Sequence, residues 1–391
     1  MKSQATSDQS NQELPTACIF SLPLEVGNYG GILQAVALSQ TLRSLGFKTY
    51  YDKPSHDRSG FLEGASFFIK QAAKSLVGRW TQVHALTRSE ERSLRKLPVS
   101  FAKSHIDQID VVELLSTTDL VDVPSTLFVF GSDQVWRPAY ARDIWRNFGV
   151  PLPSSAGRKI SYAASFGTDS LGEFTEVMQL KAASALQDFA KISVREDSAI
   201  DLVKSLGHTA ETHVDPTMLL PKMQYDKMIG EPSHGAPDGV FSYVLDQDPI
   251  TQRSIELAAQ DLGLPLDSFF LPEQRGRILR RKVVPLRSIP DWLRGIRDSA
   301  YVITDSFHGC VFSIIFNTPF VVLVNETRGA TRFTSLLKTF SLENRIALER
   351  SPDSILSVLS TPVDWQPVQN TLEYERRRGI AFLKSNKTAA H

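Results

Sequence analysis

Short apolar runs alternate along the chain with stretches of helical period. This alternation predicts an α/β fold. Residues 16–22 read as a strand. The loop Gly27-Asn28-Tyr29-Gly30-Gly31 follows, and apolar residues at Ile32, Val36, Leu38, Leu42 and Leu45 predict a helix over 32–45. Gly46 ends that helix and a second strand begins over 47–51. Such βαβ units build parallel sheets. Residues 55–121 carry many charges and few strand signals, and read as a helical insertion. Strands are expected at 127–130, 159–166 and 192–194, with helices over 173–190 and 197–206.

The second half repeats the pattern. Strands are expected at 239–245, 265–271, 300–304 and 319–324, with helices near 251–262 and 289–298. Ser288 is the expected cap of the last, with Pro290 in its first turn. Residues 369–383 read as a charged terminal helix. Between 218 and 238, Pro221, Pro232, Gly235 and Pro237 interrupt any regular period and place a domain break. The expected architecture is two facing, doubly wound, Rossmann-like domains, over 1–220 and 221–391. The terminal helix belongs to the second.

Composition narrows the function classes. A chain of 391 residues suits two domains, and 42% apolar with 22% charged residues suits a globular protein. Lys plus Arg equals Asp plus Glu at 43 each, so any charge-driven function must be local. No nucleic-acid partner is expected. The eight histidines are scattered without metal-ligand spacing, and no metal site or cofactor is expected. Cys18 and Cys310 lie in apolar stretches and read as inert core thiols. The polar first 15 residues argue against a secretory signal, and no apolar run approaches the roughly 20 residues of a membrane span. A cytoplasmic protein is expected. The basic stretch Arg275 to Lys282 reads as a solvated loop, or as a contact to an anionic membrane or an acceptor diphosphate.

Four segments lie just after strands, where open α/β sheets place their ligands. In Gly27–Ala35 the glycines admit a close ligand, and the following helix presents free N–H groups. In Phe130–Arg137, Asp133 can act as a base for a hydroxyl and Trp136 can stack on a sugar; a turn with a core Trp is the alternative. In Ser193–Asp197, Arg195 can bind a phosphate or carboxylate through its fork, or simply pair with Glu196. In Thr304–Gly309, Asp305 or Ser306 can cap a helix whose first turn holds His308, where the dipole favours an anion.

These segments, with Val214-Asp215-Pro216-Thr217, together resemble the polysaccharide pyruvyl transferase family, in its order, over about residues 26–325. The resemblance implies two facing α/β domains similar to the GT-B glycosyltransferases. It implies phosphoenolpyruvate as co-substrate and a cyclic pyruvate ketal on a sugar, or on a lipid-linked oligosaccharide, as product. The work would belong to cell-surface or exopolysaccharide biosynthesis, in the cytoplasm or at the inner face of the membrane. The family's donor site is associated with a basic residue at the position of Arg195 and with the His of the fourth motif. Many members carry Arg two residues before that His; here Ser306 stands there. The expected catalytic residues are His308, Asp133 and Arg195. The donor side takes Arg195, Ser306, His308, Gly309 and Ser165, chiefly in the second domain. The acceptor side takes Asn28, Tyr29, Gly30, Gln34 and Trp136, in the first. A nucleotide-sugar glycosyltransferase of the same fold and a non-catalytic glycan-binding protein are the competing readings.

Overall fold

In the computed structural model, the described residues are 14–54, 88–117, 126–141, 143–230, 238–246, 248–269, 285–324 and 330–387. Six strands, β1 (Thr16–Phe20), β2 (Lys48–Asp52), β3 (Gln108–Ile109), β4 (Leu127–Phe130), β5 (Arg158–Ser161) and β6 (Phe189–Lys191), form the first sheet. A small pair, β7 (Ser193–Val194) and β8 (Glu211–Thr212), stands beside it. The second sheet holds β9 (Val240–Tyr243), β10 (Leu266–Ser268), β11 (Tyr301–Thr304) and β12 (Phe320–Val322).

The first sheet runs in the order β3-β2-β1-β4-β5-β6 and the second in the order β10-β9-β11-β12. All the pairings in both are parallel. The first order is that of a doubly wound nucleotide-binding sheet, and its direction reverses between β1 and β4. The second reverses between β9 and β11. Open parallel sheets bind ligands outside the carboxyl ends of strands at such reversals.

Alternation along the strands explains the layers. In β1, Ala17 and Ile19 face one core while Cys18 and Phe20 face another. In β4, Leu127 and Val129 join the first and Phe128 and Phe130 the second. Phe241, Val302 and Phe320 of the second sheet enter the same core as Ala17 and Val129, so one apolar mass runs between the two sheets. Sheets covered on both faces require the nearly continuous apolar runs seen in the sequence. The fold is thus two doubly wound α/β units packed against each other, as expected.

Several boundaries move. The first helix is Tyr29–Ser44, starting three residues early because the Asn28 side chain accepts from Gly31 N and caps it there. Strand β5 stops at Ser161. The residues after it leave the sheet, with single bridges Asp133–Ala164 and Ala164–Val194 in place of a continued ladder. The expected helix 173–190 is Glu176–Leu186, and its last residues form β6. Ser288 caps Ile289–Arg297 as expected. A helix, Lys222–Ile229, occupies the stretch read as a break. Helices Ala330–Thr339 and Pro352–Leu359 were not anticipated. Of the insertion, helices Arg88–Leu94, Lys96–His105 and Val111–Thr117 and strand β3 are described. The basic stretch 275–282 lies outside the described residues. No helix among the described residues is long and apolar enough to cross a membrane.

The terminal helix is Trp365–Ser385, and it straddles both units. Gln369 donates to Ile314 O of the second, at 3.0 Å. Arg376 donates to Met218 O and Arg378 to Thr212 O, on the first unit's side, at 3.1 and 3.2 Å. Gly379 sits in this helix because Tyr162 packs there; a Cβ would lie 2.3 Å from the Tyr162 hydroxyl oxygen.

Candidate active site

The two sheet reversals supply the two halves of one buried polar cluster. At the first, Ser21 Oγ donates to Ser132 O at 2.7 Å, tying the end of β1 to the end of β4. Asp133 follows with a left-handed φ of 75°. At the second, the Asp305 carboxylate accepts from Leu245 N and Asp246 N at 2.6 and 2.9 Å, tying β11 to the chain after β9. Asp305 is therefore a clamp. Ser306 is the cap: its Oγ accepts from Gly309 N at 3.5 Å and starts the helix Phe307–Phe316.

His308 enters the cluster from that helix. Its ring lies directly on the backbone of Gly30 across the interface; a Cβ on Gly30 would stand 2.0 Å from Nδ1. Here the glycine is required by a side chain of the other unit. His308 Nε2 faces Asp215 Oδ2 at 3.5 Å and makes no hydrogen bond among the described residues.

Asp215 is the hub. Its Oδ1 accepts from Thr217 N and Oγ1 at 3.1 and 2.8 Å, starting the turn Pro216–Leu219. Its Oδ2 accepts from Arg195 Nη1 at 3.1 Å and from Gln34 Nε2. Burial raises its pKa, but His308, Arg195 and Gln34 outweigh burial and hold it well below the ordinary carboxylate range.

Arg195 follows β7 and its side chain is only 2% exposed. Besides Asp215 it binds Asp133 Oδ1 through Nη2 at 3.3 Å, and its guanidinium carbon sits 4.4 Å from the centre of the Phe307 ring. Burial would lower its pKa, but Asp133, Asp215 and Glu196 raise it. Burial likewise raises Asp133, and Arg195, His308 and Arg332 more than reverse the shift. A carboxylate so stabilised as the anion is a weak proton acceptor. Its contacts make Asp133 an anchor for Arg195.

Other expected site residues fall elsewhere. Gln34 belongs to the cluster and also donates to Ser132 Oγ at 3.3 Å. Ser165 is fully buried; its hydroxyl donates to Glu196 Oε1 at 2.7 Å and accepts from Gly167 N, so its hydrogen bonds hold Glu196 in place. Gly309 packs against Thr304, where a Cβ would lie 2.3 Å from Oγ1. Asn28 is a surface cap. Two acceptor assignments are corrected. Trp136 stacks on Phe148 at 5.2 Å, contacts Phe166 and Phe189, and donates to Asn147 O, so no ring face is left for a sugar. Tyr29 stacks on Trp292 at 5.6 Å and donates to Arg287 O at 2.6 Å, joining the two units. Asp215 and Arg332 were not anticipated as site residues.

Four buried polar atoms in this one cluster have no hydrogen-bond partner among the described residues: Gln34 Oε1, Arg195 Nε, Glu196 Oε2 and His308 Nε2. Buried polar groups are nearly always satisfied, so a gathering of exceptions marks a place built for a polar ligand. A pocket lined by Arg195, Glu196, Asp215, Phe307, Arg332 and Ser335 opens beside them. No group of three or more His, Cys, Asp or Glu that could hold a metal ion occurs among the described residues.

The chain matches the polysaccharide pyruvyl transferase family over residues 28–327, a span that holds Gln34, Asp133, Arg195, Glu196, Asp215 and His308 but not Arg332. It belongs to that family. Being a polysaccharide pyruvyl transferase family member makes it a transferase acting in polysaccharide biosynthesis. No curated relative matches the chain. Among solved structures it is similar to a putative UDP-N-acetylglucosamine 2-epimerase from Listeria monocytogenes. The TM-score is 0.52 at 10% identity, over 97% of this chain and 98% of that one. It is also similar to UGT71G1 of Medicago truncatula complexed with UDP-glucose, with TM-score 0.43 and 12% identity, over 95% and 98%. At such identity the first of these likenesses speaks to the fold alone.

A titrating group borders the pocket. His213 is buried; its Nδ1 lies 2.9 Å from Ser193 Oγ and its ring packs 4.7 Å from Phe382. Burial first, then the Arg378 charge, lowers its pKa to about 4, with Glu211 3.8 Å away too exposed to reverse this. The unfolded chain therefore takes up this proton near pH 6.5 and the folded chain only near 4. Stability is fully present above the unfolded value and is lost as pH falls between the two, by about 3 kcal/mol. The melting temperature should drop over that window more steeply than in His213→Gln; parallel curves for the two proteins would remove His213 as the cause.

Proposed function

We propose that this family member transfers the pyruvyl unit of phosphoenolpyruvate to two hydroxyls of a sugar, forming a cyclic ketal. What carries the reading is the set of unsatisfied buried atoms that brings His308 and Arg195 together at the facing sheet reversals. The reaction balances without oxidant or reductant. Two oxygen–carbon bonds form at the central carbon of the donor and its bond to the phosphate oxygen breaks. One hydroxyl proton ends on the methylene, which becomes methyl, and the other leaves with the phosphate.

The residues divide this work. Arg195, fixed by Asp133 and Asp215, has an Nε that makes no hydrogen bond and lies 3.9 Å from Glu196 Oε2; it is the candidate to donate to an anionic oxygen and favour phosphate departure. His308, whose Nε2 makes no hydrogen bond and lies 3.5 Å from Asp215 Oδ2, is the candidate to move a proton between hydroxyl and donor, with Asp215 orienting the ring. Gln34 Oε1, which makes no hydrogen bond among the described residues, is the candidate to accept from an acceptor hydroxyl. The acceptor is a sugar or lipid-linked oligosaccharide, met in the cytosol or at the inner membrane face. No metal is required by this chemistry.

A ligand that binds only the folded state raises the melting temperature, by about 2.7 kcal/mol of stability at a hundred times its dissociation constant. Phosphoenolpyruvate should do so and nucleotide sugars should not. Stabilisation by a UDP-sugar alone would favour a glycosyltransferase. Stabilisation by saccharide alone would favour a glycan-binding protein.

A further inference from the structure

The helix Ala330–Thr339 brings a second arginine to the pocket that Arg195 lines. It is anchored across the interface, because Ser335, three residues after Arg332, accepts at Oγ from Asp197 N at 3.2 Å. Asp197 is two residues after Arg195. Both guanidiniums gather at the same aromatic ring: their carbons lie 4.4 Å (Arg195) and 5.9 Å (Arg332) from the centre of Phe307. Phe307 in turn precedes His308.

Two like charges held together at low exposure repel. Burial first, then the charge of Arg195, pushes Arg332 below the ordinary arginine range, although Asp133 and Glu196 pull it back. Arg195 is already matched by Asp133 and Asp215. An anion entering the pocket would meet Arg332 as its second guanidinium and relieve that repulsion. Ser306, whose hydroxyl caps the helix, brings no charge.

We propose that Arg332 and Arg195 form a two-guanidinium clamp for the phosphate of the donor, a phosphate monoester that also carries a carboxylate. The clamp rests on the phosphoenolpyruvate reading above. Arginine suits the task because its fork matches a phosphate with two parallel bonds. The position of Arg332, beyond the last motif, also gives the clamp its reach: it comes from the second unit, while Arg195 comes from the first, so the donor phosphate would hold the units together.

The test measures phosphoenolpyruvate affinity by calorimetry, and the KM of donor and acceptor separately, for the wild type, Arg332→Ala and Arg332→Lys. Arg332→Ala should weaken donor binding about tenfold or more and leave the acceptor KM unchanged. Lysine should restore part of the loss, and free guanidinium added to Arg332→Ala should restore part as well. A merely structural arginine would not show that rescue. Donor affinity unchanged in Arg332→Ala, with a wild type that binds phosphoenolpyruvate, overturns the clamp and leaves the function standing. If Arg332→Ala does not fold, Arg332→Lys with undiminished donor affinity and undiminished salt dependence overturns it equally. A wild type that does not bind phosphoenolpyruvate overturns both.

Discussion

His308→Ala should fold, melt within a few degrees of the wild type, and lose on the order of a hundredfold or more in turnover. The ring is buried, and its Nε2 faces the Asp215 carboxylate at 3.5 Å without a hydrogen bond. Its removal breaks no hydrogen bond at that atom and leaves Asp215 with Thr217, Arg195 and Gln34. The loss should therefore appear in the transition state and not in the fold. His308→Gln separates anchoring from proton transfer: near-wild-type rates would leave only the first. Gly30→Ala is the companion variant. It keeps the imidazole but drives a methyl into it, 2.0 Å from Nδ1, so the ring must leave its place. Turnover should fall as in His308→Ala. Full activity in either alanine variant would take this histidine out of the site.

Arg195→Ala carries the largest expected cost in stability, about 3–5 kcal/mol. The side chain is 2% exposed and stands between two carboxylates, Asp133 and Asp215, with Glu196 close by. Removing the cation leaves negative charges buried and uncompensated. The sequence alone presents an arginine that binds a donor anion through its fork or pairs with Glu196. Its burial and its carboxylate partners add a structural role, so donor affinity must be measured below the lowered melting temperature. Arg195→Lys should recover only part of the stability, because one ammonium cannot reach both partners in the same geometry. Asp133→Asn in the Arg195→Ala background should recover stability by removing one orphaned charge, while donor binding stays weak. An Arg195→Ala protein as stable as the wild type would mean that the carboxylates find other partners.

The sequence makes the sheets legible because buried parallel strands are written as apolar runs, and 127–130 is strand β4 to the residue. It makes the glycine loop, Arg195 and His308 legible because polar groups interrupt those runs at strand ends. It does not reveal partners across the interface. Val214-Asp215-Pro216-Thr217 looks like a turn, and Asp215 does start one; that its second oxygen joins Arg195, Gln34 and His308 depends on packing. Gly30 looks like a loop residue, and only the fold shows which ring it admits. Trp136 looks like a sugar platform and Tyr29 like an acceptor contact because they lie in polar motifs, yet an aromatic beside a polar turn can equally point inward, and both do. Arg332 carries no local signal at all.

The most direct test of pyruvyl transfer is phosphate release from phosphoenolpyruvate with a panel of sugars and lipid-linked or aryl glycosides, followed by mass spectrometry of the acceptor. Release should depend on one acceptor class, survive chelation of divalent metals, and match mole for mole the acceptor that gains a pyruvyl ketal. Phosphate release absent with every acceptor, or an acceptor that gains a hexose from a nucleotide sugar instead, would contradict pyruvyl transfer.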